Sequence, residues 1–127
     1  MTFAHLTIAT RDVEGTAAFY EKTMGWKRVG APANSPVELA WIEMGPGEHL
    51  HILRRDDVTP WAFETEFGRH FAVFHRGDDF ADLKRRLVRH GATLDDAVRP
   101  TVFERFFFKD PNGYMFEVID EQHYVQE

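Results

Sequence analysis

The sequence predicts an α+β fold built from two tandem copies of one βαβββ module. Three pairs of residues recur at nearly constant spacing: His5 and His70, His51 and Glu117, and Gly25 and Gly91. The first pair is 65 positions apart (5 to 70), and the other two pairs are 66 apart (25 to 91 and 51 to 117). A solenoid needs three or more stacked repeats, so a single duplication favours two half-folds related by a pseudo-twofold axis.

The first copy, module one, is predicted over residues 1–56. Alternating β-favouring residues predict its strands. Apolar residues at helical spacing predict one helix, which Asp12 begins as the N-cap and Gly25 ends. The predicted order is a strand over 3–10, a helix over 13–24, and strands over 26–31, 37–44 and 48–55, with a turn at 45–47.

The second copy, module two, is predicted over residues 67–127, after a polar connector over 57–66. Its helix begins at Asp78 or Asp79, carries an apolar stripe and ends before Gly91. The predicted strands cover 67–75, 92–95, 101–109 and 114–120, and a tight turn covers 110–113. The whole chain, 1–127, is therefore predicted to be a single domain, since its length suits one hydrophobic core.

The composition excludes several functional classes. The net charge of −6 disfavours nucleic acid as a partner, because sequence-independent binding to phosphates needs a basic surface. No cysteine is present, so the chain has no disulfide, thiolate metal site or thiol nucleophile. No apolar run approaches the length of a membrane span, and the first residues lack the features of a signal peptide. We therefore expect a cytoplasmic protein that does not bind membranes.

The duplicated positions carry side chains that bind metals. His5, His70 and Glu117 all fall on predicted strands, and a twofold relation would bring equivalent strands together around one cavity. Two imidazoles and one carboxylate form a facial set that leaves open positions for water and substrate. His51, the counterpart of Glu117, is either a fourth ligand or a residue of the outer shell. A histidine at the start of a strand is ordinarily a surface or packing residue, so the shared spacing carries this interpretation.

A second group of residues depends on the register of the last hairpin. If Gly113 forms a bulge after the turn, Phe107 pairs with Glu117, and Arg105 lies on the same face as Glu117. An arginine over an aromatic floor would then bind an anionic group of the substrate. Without the bulge the register slips by one residue, and both Arg105 and Phe107 turn away from the cavity.

Several short motifs are spread over nearly the whole chain. They are the His-Leu-Thr-Ile-Ala run at 5–9, Phe19-Tyr20 and Gly25-Trp26, Arg-His-Phe-Ala-Val at 69–73, and Phe-Lys-Asp-Pro-Asn-Gly at 108–113 followed by Phe116-Glu117. Together they resemble the vicinal oxygen chelate superfamily, which includes glyoxalase I, bleomycin-resistance proteins, fosfomycin-resistance enzymes and extradiol dioxygenases. The last block is the most specific.

The resemblance implies a cup-shaped sheet around a divalent metal ion, either Zn, Ni, Fe, Mn or Co. The metal-binding positions carried over are His5, His70 and Glu117, and His51 stands where glyoxalase I-like members usually have a glutamate. Chains with two modules in this superfamily commonly form homodimers that pair a module from each subunit. The resemblance thus implies that His5 and His51 of one chain share the metal with His70 and Glu117 of the other.

The function implied is a glyoxalase-like lyase or isomerase acting on a small-molecule substrate with adjacent oxygens. In that reaction the metal stabilises an enediolate while a carboxylate, here Glu117, moves a proton between neighbouring carbons.

An extradiol-type dioxygenase is a second possibility. A fosfomycin-modifying thiol transferase fits Thr7, but Phe107 stands where those enzymes have a tyrosine. A metal-free binding protein of the bleomycin-resistance kind would instead use Trp41 and Trp61 to line a groove for an aromatic or cationic ligand.

Overall fold

A computed structural model describes residues 2–60 and 62–126, and the chain divides into two compact units after Thr59. Trp61, predicted to line a groove, lies outside the described residues. The α+β class and the repeated βαβββ order are confirmed. Unit one contains β1 (His5–Thr10), α1 (Val13–Thr23), β2 (Lys27–Val29), β3 (Leu39–Gly45) and β4 (Glu48–Arg54). Unit two contains β5 (Phe71–His75), α2 (Phe80–Arg89), β6 (Thr93–Asp96), β7 (Arg105–Lys109) and β8 (Met115–Asp120).

Helix α1 begins and ends as predicted. The Asp12 carboxylate accepts a hydrogen bond of 2.9 Å from the backbone N–H of Gly15, which satisfies one of the free donors of the first turn. Gly25 follows the helix with a φ of +73°, a conformation that glycine adopts without steric cost. Val13, Ala17 and Tyr20 recur at helical spacing and are buried, so this stripe is the face that packs in the core.

Each unit holds a four-stranded sheet with the same topology. The strand order is β1-β4-β3-β2 in unit one and β5-β8-β7-β6 in unit two. In both sheets the first and last strands of the unit pair in parallel, and the other neighbours pair antiparallel. The duplication predicted from residue spacing is therefore a duplication of strand pairing, which gives equivalent residues equivalent neighbours.

Alternation along the strands separates the core from the opposite sheet face. In β4, Leu50 and Ile52 are fully buried, whereas His49 and His51 lie on the other face. In unit two, Phe106 and Phe108 of β7 belong to one face. Phe107, on the opposite face of the same strand, is also buried. The sheet face of unit two that carries Phe107 and Glu117 is therefore buried at its centre.

Strand β5 is shorter than predicted, and His70 lies just before it rather than within it. The predicted strand over 67–75 begins only at Phe71, because the preceding residues form a turn. In that turn the N–H of Gly68 donates to the Thr65 carbonyl at 3.1 Å, and the N–H of Arg69 donates to the Phe63 carbonyl at 2.7 Å. These local bonds satisfy the backbone groups that an extended strand would have offered to a neighbour.

Strand β7 is also shorter than the predicted 101–109, since it begins at Arg105. The hydroxyl of Thr101 donates a hydrogen bond of 2.6 Å to the Phe103 carbonyl. Bonds of this kind between a side chain and nearby backbone compete with a strand ladder.

Asp79 precedes α2, but its side chain does not cap the helix. The prediction that Asp78 or Asp79 caps α2 is thus wrong for the side chains, and a 3-10 turn over Gly77–Asp79 leads into the helix instead. The Asp79 carboxylate accepts from Arg86 at 2.7 Å and lies 2.8 Å from His75 Nε2. Charge-assisted bonds to two side chains are stronger than one bond to a backbone N–H.

The last hairpin has the register that the bulge predicts. Phe107 pairs with Glu117, and the N–H of Asp110 donates to the Tyr114 carbonyl at 2.9 Å. Gly113 has a φ of +98°, and its N–H donates to the Asp110 carbonyl. This register brings Phe107 and Glu117 to the same sheet face.

Replacing Gly113 with alanine is expected to lower the free energy of unfolding by at least about 1–2 kcal/mol, the cost of a left-handed residue with a Cβ atom. The added Cβ would also lie 2.7 Å from Cγ of Pro60, so the turn would have to shift. Urea denaturation measures the change, and Gly30→Ala is the control, because a Cβ there meets nothing within 4 Å. Equal stability of both variants would contradict the prediction.

No helix in the described part of the chain is both long enough and apolar enough to cross a bilayer.

Candidate metal centre

The two parallel strand pairs hold the predicted ligands at matching register positions. On the β1–β4 pair, Thr7 lies opposite His51, and His5 is two residues before Thr7. On the β5–β8 pair, Ala72 lies opposite Glu117, and His70 is two residues before Ala72. In unit one, His5 and Thr7 share a face of β1, and in unit two His70 lies beside Glu117 although it precedes β5, so each unit presents one histidine beside its second candidate ligand.

In unit one the two candidate ligands are stacked imidazoles. The ring centroids of His5 and His51 are 3.9 Å apart, with an interplanar angle of 17°. The indole of Trp41 stacks on His51 at 3.9 Å and 4°. Because β4 lies between β1 and β3, the His51 ring is held between His5 and Trp41. Such a ring cannot rotate freely, so its nitrogen atoms have fixed directions.

His51 also has an unsatisfied polar atom. Its Nε2 is buried and has no hydrogen-bond partner. Burial, helped by the nearby imidazoles of His5 and His49, lowers the pKa of His51 to about 4. The ring is therefore neutral near pH 7. A neutral imidazole with a free buried nitrogen fits a metal ion better than it fits an apolar core, where an unpaired nitrogen is costly.

In unit two the pair is an imidazole and a carboxylate. Nε2 of His70 lies 3.2 Å from Oε1 of Glu117, and Nδ1 of His70 lies 3.2 Å from the Thr65 carbonyl oxygen. The Phe107 ring packs edge-on against the His70 ring at 5.1 Å. Glu117 is only 8% exposed, and a buried carboxylate needs such partners.

Arg105 lies on the same face as Glu117, as the hairpin register predicts. Its Nη1 donates to Oε2 of Glu117 at 3.1 Å, and its Nη2 donates to Oε2 of Glu66 at 2.9 Å and to the Arg99 carbonyl at 2.6 Å. Its guanidinium lies 5.5 Å from the centre of the Phe107 ring. The side chain is 3% exposed, and its Nε is buried without a partner. Binding of a substrate anion by Arg105 and Phe107 stays a prediction.

Glu66 anchors the far side of this network. Burial by itself raises the pKa of its carboxyl, but the N–H groups of Val98 and Arg99 and the guanidinium of Arg105 lower the pKa to about 2 overall. The N–H of Val98 donates at 2.6 Å and that of Arg99 at 3.0 Å. Glu66 therefore remains ionised, and paired with Arg105, at every pH except strongly acidic values.

A cavity of about 300 Å³ opens in unit two beside these residues. Phe107 and Met115 contribute apolar surface to it, and Glu66, Asp95 and Asp96 contribute carboxylates. Its size suits a small molecule, and its lining combines an apolar floor with a few polar groups, as ligand sites commonly do.

The structure thus brings the four predicted ligands together as two pairs, one in each unit. Among residues 2–60 and 62–126, no three or more histidine, aspartate or glutamate side chains are grouped so that they could coordinate one metal ion. His49 lies opposite His5, with its ring 5.7 Å from that of His51. His75 and His123 pair with Asp79 and Asp120, and His90 ends α2.

Residue spacing did not identify the residues that surround the unit-two pair. Glu64, Thr65 and Glu66 contact Met115, His70 and Arg105, yet they lie in the segment interpreted only as a connector. Two carboxylates flanking one threonine give no recognisable sequence signal, because most of their partners, Met115, Val98, Arg99 and Arg105, are distant in the chain.

A family model described as Glyoxalase/Bleomycin resistance protein/Dioxygenase superfamily matches residues 2–118. The chain belongs to this superfamily. Glyoxylase I 4 of Arabidopsis thaliana is 25% identical over 121 residues, which cover 90% of this chain and 67% of the plant protein. The predicted resemblance to the vicinal oxygen chelate superfamily is therefore confirmed.

Solved structures of superfamily members have the same fold as this chain. The fosfomycin resistance protein FosX of Listeria monocytogenes superimposes with a TM-score of 0.75 at 17% identity, covering 100% of this chain and 94% of FosX. A possible glyoxalase of Bacillus cereus gives a TM-score of 0.69 at 20% identity, covering 94% and 98% of the two chains. A FosX variant from Listeria monocytogenes, complexed with Mn(II) and 1S,2S-dihydroxypropylphosphonic acid, gives 0.74 at 17% identity, covering 92% and 89%.

Proposed function

We propose that this protein is a divalent-metal-dependent enzyme of glyoxalase type, a lyase or isomerase that acts on a small substrate with two adjacent oxygen atoms. One observation carries the proposal: each unit has a histidine beside a second metal-binding side chain, at the same register of its parallel strand pair. Duplication of the module repeats the strand register, and both copies have metal-binding side chains at it. Superfamily membership supports the same reading, because the resemblance implies a metal at these positions.

The proposed ligands are His5, His51, His70 and Glu117. Imidazole nitrogen with one carboxylate oxygen suits Zn, Ni, Fe, Mn or Co, and the free buried Nε2 of His51 supports its inclusion. When bound, such an ion supplies Lewis acidity to two neighbouring substrate oxygens. Because a neutral histidine stands at position 51 in place of a glutamate, the site has one negative charge fewer than a site with the glutamate. This favours a substrate that binds as an anion.

The remaining roles belong to side chains of unit two. Glu117 is proposed as the base that removes a proton from one substrate carbon and returns it to the neighbouring carbon. Its buried position beside Phe107 excludes water from that transfer. Arg105 is proposed to act on an anionic substrate as a buried positive charge, because its Nη atoms already donate to Glu117, Glu66 and the Arg99 carbonyl. The apolar floor of the nearby cavity would hold the rest of the molecule. We also propose a cytoplasmic homodimer in which each metal takes one ligand pair from each subunit.

Metal binding is the first test. Protein purified without chelators is expected to contain about one divalent ion per chain by elemental analysis, and His5→Ala, His70→Ala or Glu117→Ala is expected to lose it. Each loss of affinity should exceed the roughly 10–100-fold that removal of an outer-shell partner costs. His51→Ala decides whether His51 is a ligand.

His49→Ala is the matched control, since His49 shares strand and face with His51 and is proposed to bind no metal. Wild-type protein that binds no ion with measurable affinity would exclude the proposal. It would favour a metal-free binding protein of the bleomycin-resistance kind, for which Trp41 offers an aromatic surface on the same sheet face.

Substrate assays separate the enzymatic alternatives. A glyoxalase-type enzyme converts the hemithioacetal of an α-oxoaldehyde and a thiol equally well with and without oxygen. An extradiol-type dioxygenase consumes oxygen with a catechol. A fosfomycin-resistance enzyme is a further candidate because FosX proteins share the fold, and Arg105 would suit a phosphonate. The ring of Phe107 has no hydroxyl to offer that substrate.

A further inference from the structure

We infer that residues 64–66, named here the positioning segment, hold both His70 and Glu117 in the orientation that a metal ion requires. The inference rests on the proposed function, since it concerns the same site. Each of the three residues makes a different contact with the His70–Glu117 pair or with a residue next to it. They are positioning residues, because each acts on a proposed metal ligand through another contact and none is itself a proposed ligand.

Glu64 fixes the segment to β8, which carries Glu117, and to Arg69, the residue before His70. Its side chain is 3% exposed. Oε1 accepts a hydrogen bond of 2.9 Å from the N–H of Met115, two residues before Glu117 on β8. Both carboxylate oxygens accept from Nη1 of Arg69, the residue next to His70, at 2.9 Å. Moving Glu64 would leave a buried carboxylate without these hydrogen bonds, which costs free energy. The segment is therefore held in one position relative to the pair.

Thr65 orients the imidazole. Its carbonyl oxygen lies 3.2 Å from Nδ1 of His70, and a carbonyl can only accept a hydrogen bond. This contact requires a proton on Nδ1, whatever Nε2 carries, and Nε2 is the nitrogen that faces Glu117 and that would bind a metal. Metal-bound histidines usually donate their second ring N–H to an acceptor in this way.

Glu66 orients the carboxylate through Arg105. Glu66 is held by the N–H groups of Val98 and Arg99, and its Oε2 accepts from Arg105. Arg105 in turn donates to Oε2 of Glu117, so the other oxygen, Oε1, is the one that points toward His70. A guanidinium that holds one oxygen of a carboxylate favours binding of a metal through the remaining oxygen only.

Glu64→Gln and Glu66→Gln test the inference without touching a ligand. We expect each variant to bind Zn(II) roughly 10–100-fold more weakly than wild type, measured by competition with a chelator of known affinity. Asp79→Asn is the matched control. Asp79 also joins an arginine and a histidine in unit two, yet it makes no contact with His70 or Glu117. Zn(II) affinity of the control should be unchanged, and thermal unfolding shows that each variant is folded.

Nitrogen-15 NMR of His70 gives a readout that does not depend on the metal. In metal-free wild type we expect a proton on Nδ1, and in Glu64→Gln a weaker hydrogen bond at that proton. A proton found only on Nε2 would overturn the inference, as would unchanged Zn(II) affinity in both segment variants while His70→Ala abolishes binding. The second result leaves the proposed function intact. Wild type that binds no metal contradicts both.

Discussion

Glu117→Gln is expected to lower the turnover number for the hemithioacetal of an α-oxoaldehyde by about 10²–10⁴-fold, the usual contribution of a positioned acid or base. Glutamine keeps the length of the side chain, its amide oxygen can still accept from Arg105, and its NH2 group can face Nε2 of His70, but it cannot take up a proton. The measurement is kcat at saturating metal, with metal content determined in the same samples. Loss of turnover at full metal occupancy identifies the proton-transfer role separately from metal binding.

Glu121→Gln is the control, because Glu121 lies on exposed surface just beyond β8 and should leave turnover unchanged. Exchange of the substrate C–H proton with deuterated solvent provides a second measurement. A metal-loaded Glu117→Gln enzyme that turns over and exchanges protons at the wild-type rate would assign the base to another residue.

Leu83→Ala is expected to destabilise the protein by about 2–5 kcal/mol, the range found when a buried leucine is truncated and leaves a cavity. Leu83 has no exposed surface and lies in α2 between Phe80 and Leu87, which are also buried at helical spacing. Native domains are stable by only about 5–15 kcal/mol, so this loss removes a large part of the total. Urea unfolding followed by circular dichroism measures it.

Val88→Ala is the matched control on the same helix. Val88 is 56% exposed, and substitutions at exposed positions usually change stability by no more than about 0.5 kcal/mol. A similar loss in both variants would mean that the buried stripe of α2 does not carry the stability of unit two.

Much of the fold follows from local patterns in the sequence. Hydrophobic periodicity gave both helices to within a residue or two, because a helix buries one stripe that repeats every three or four residues. The spacing of His5, His51, His70 and Glu117 predicted the duplicated module, and the structure adds that the two copies repeat one pairing register. The glycine after the last turn fixed the alternation that brings Phe107 opposite Glu117.

Strand ends were less predictable than strand centres. Residues 67–70 have the composition of a strand, but hydrogen bonds back to Phe63 and Thr65 turn the chain there. Asp79 has the composition of a helix cap, but Arg86 and His75 bind its carboxylate. In both places a competing partner, rather than intrinsic propensity, decides the local structure.

The sequence by itself determined the repeated module, the order of its elements and the four candidate ligands at equivalent positions, because each depends on spacing within the chain. Only the tertiary structure revealed the stacking of Trp41 on His51 and the contacts of Glu64, Thr65 and Glu66. Glu64 reaches a backbone N–H 51 residues away, and Glu66 reaches a guanidinium 39 residues away. Contacts over such separations arise from how the chain packs, and no local pattern of residue types encodes them.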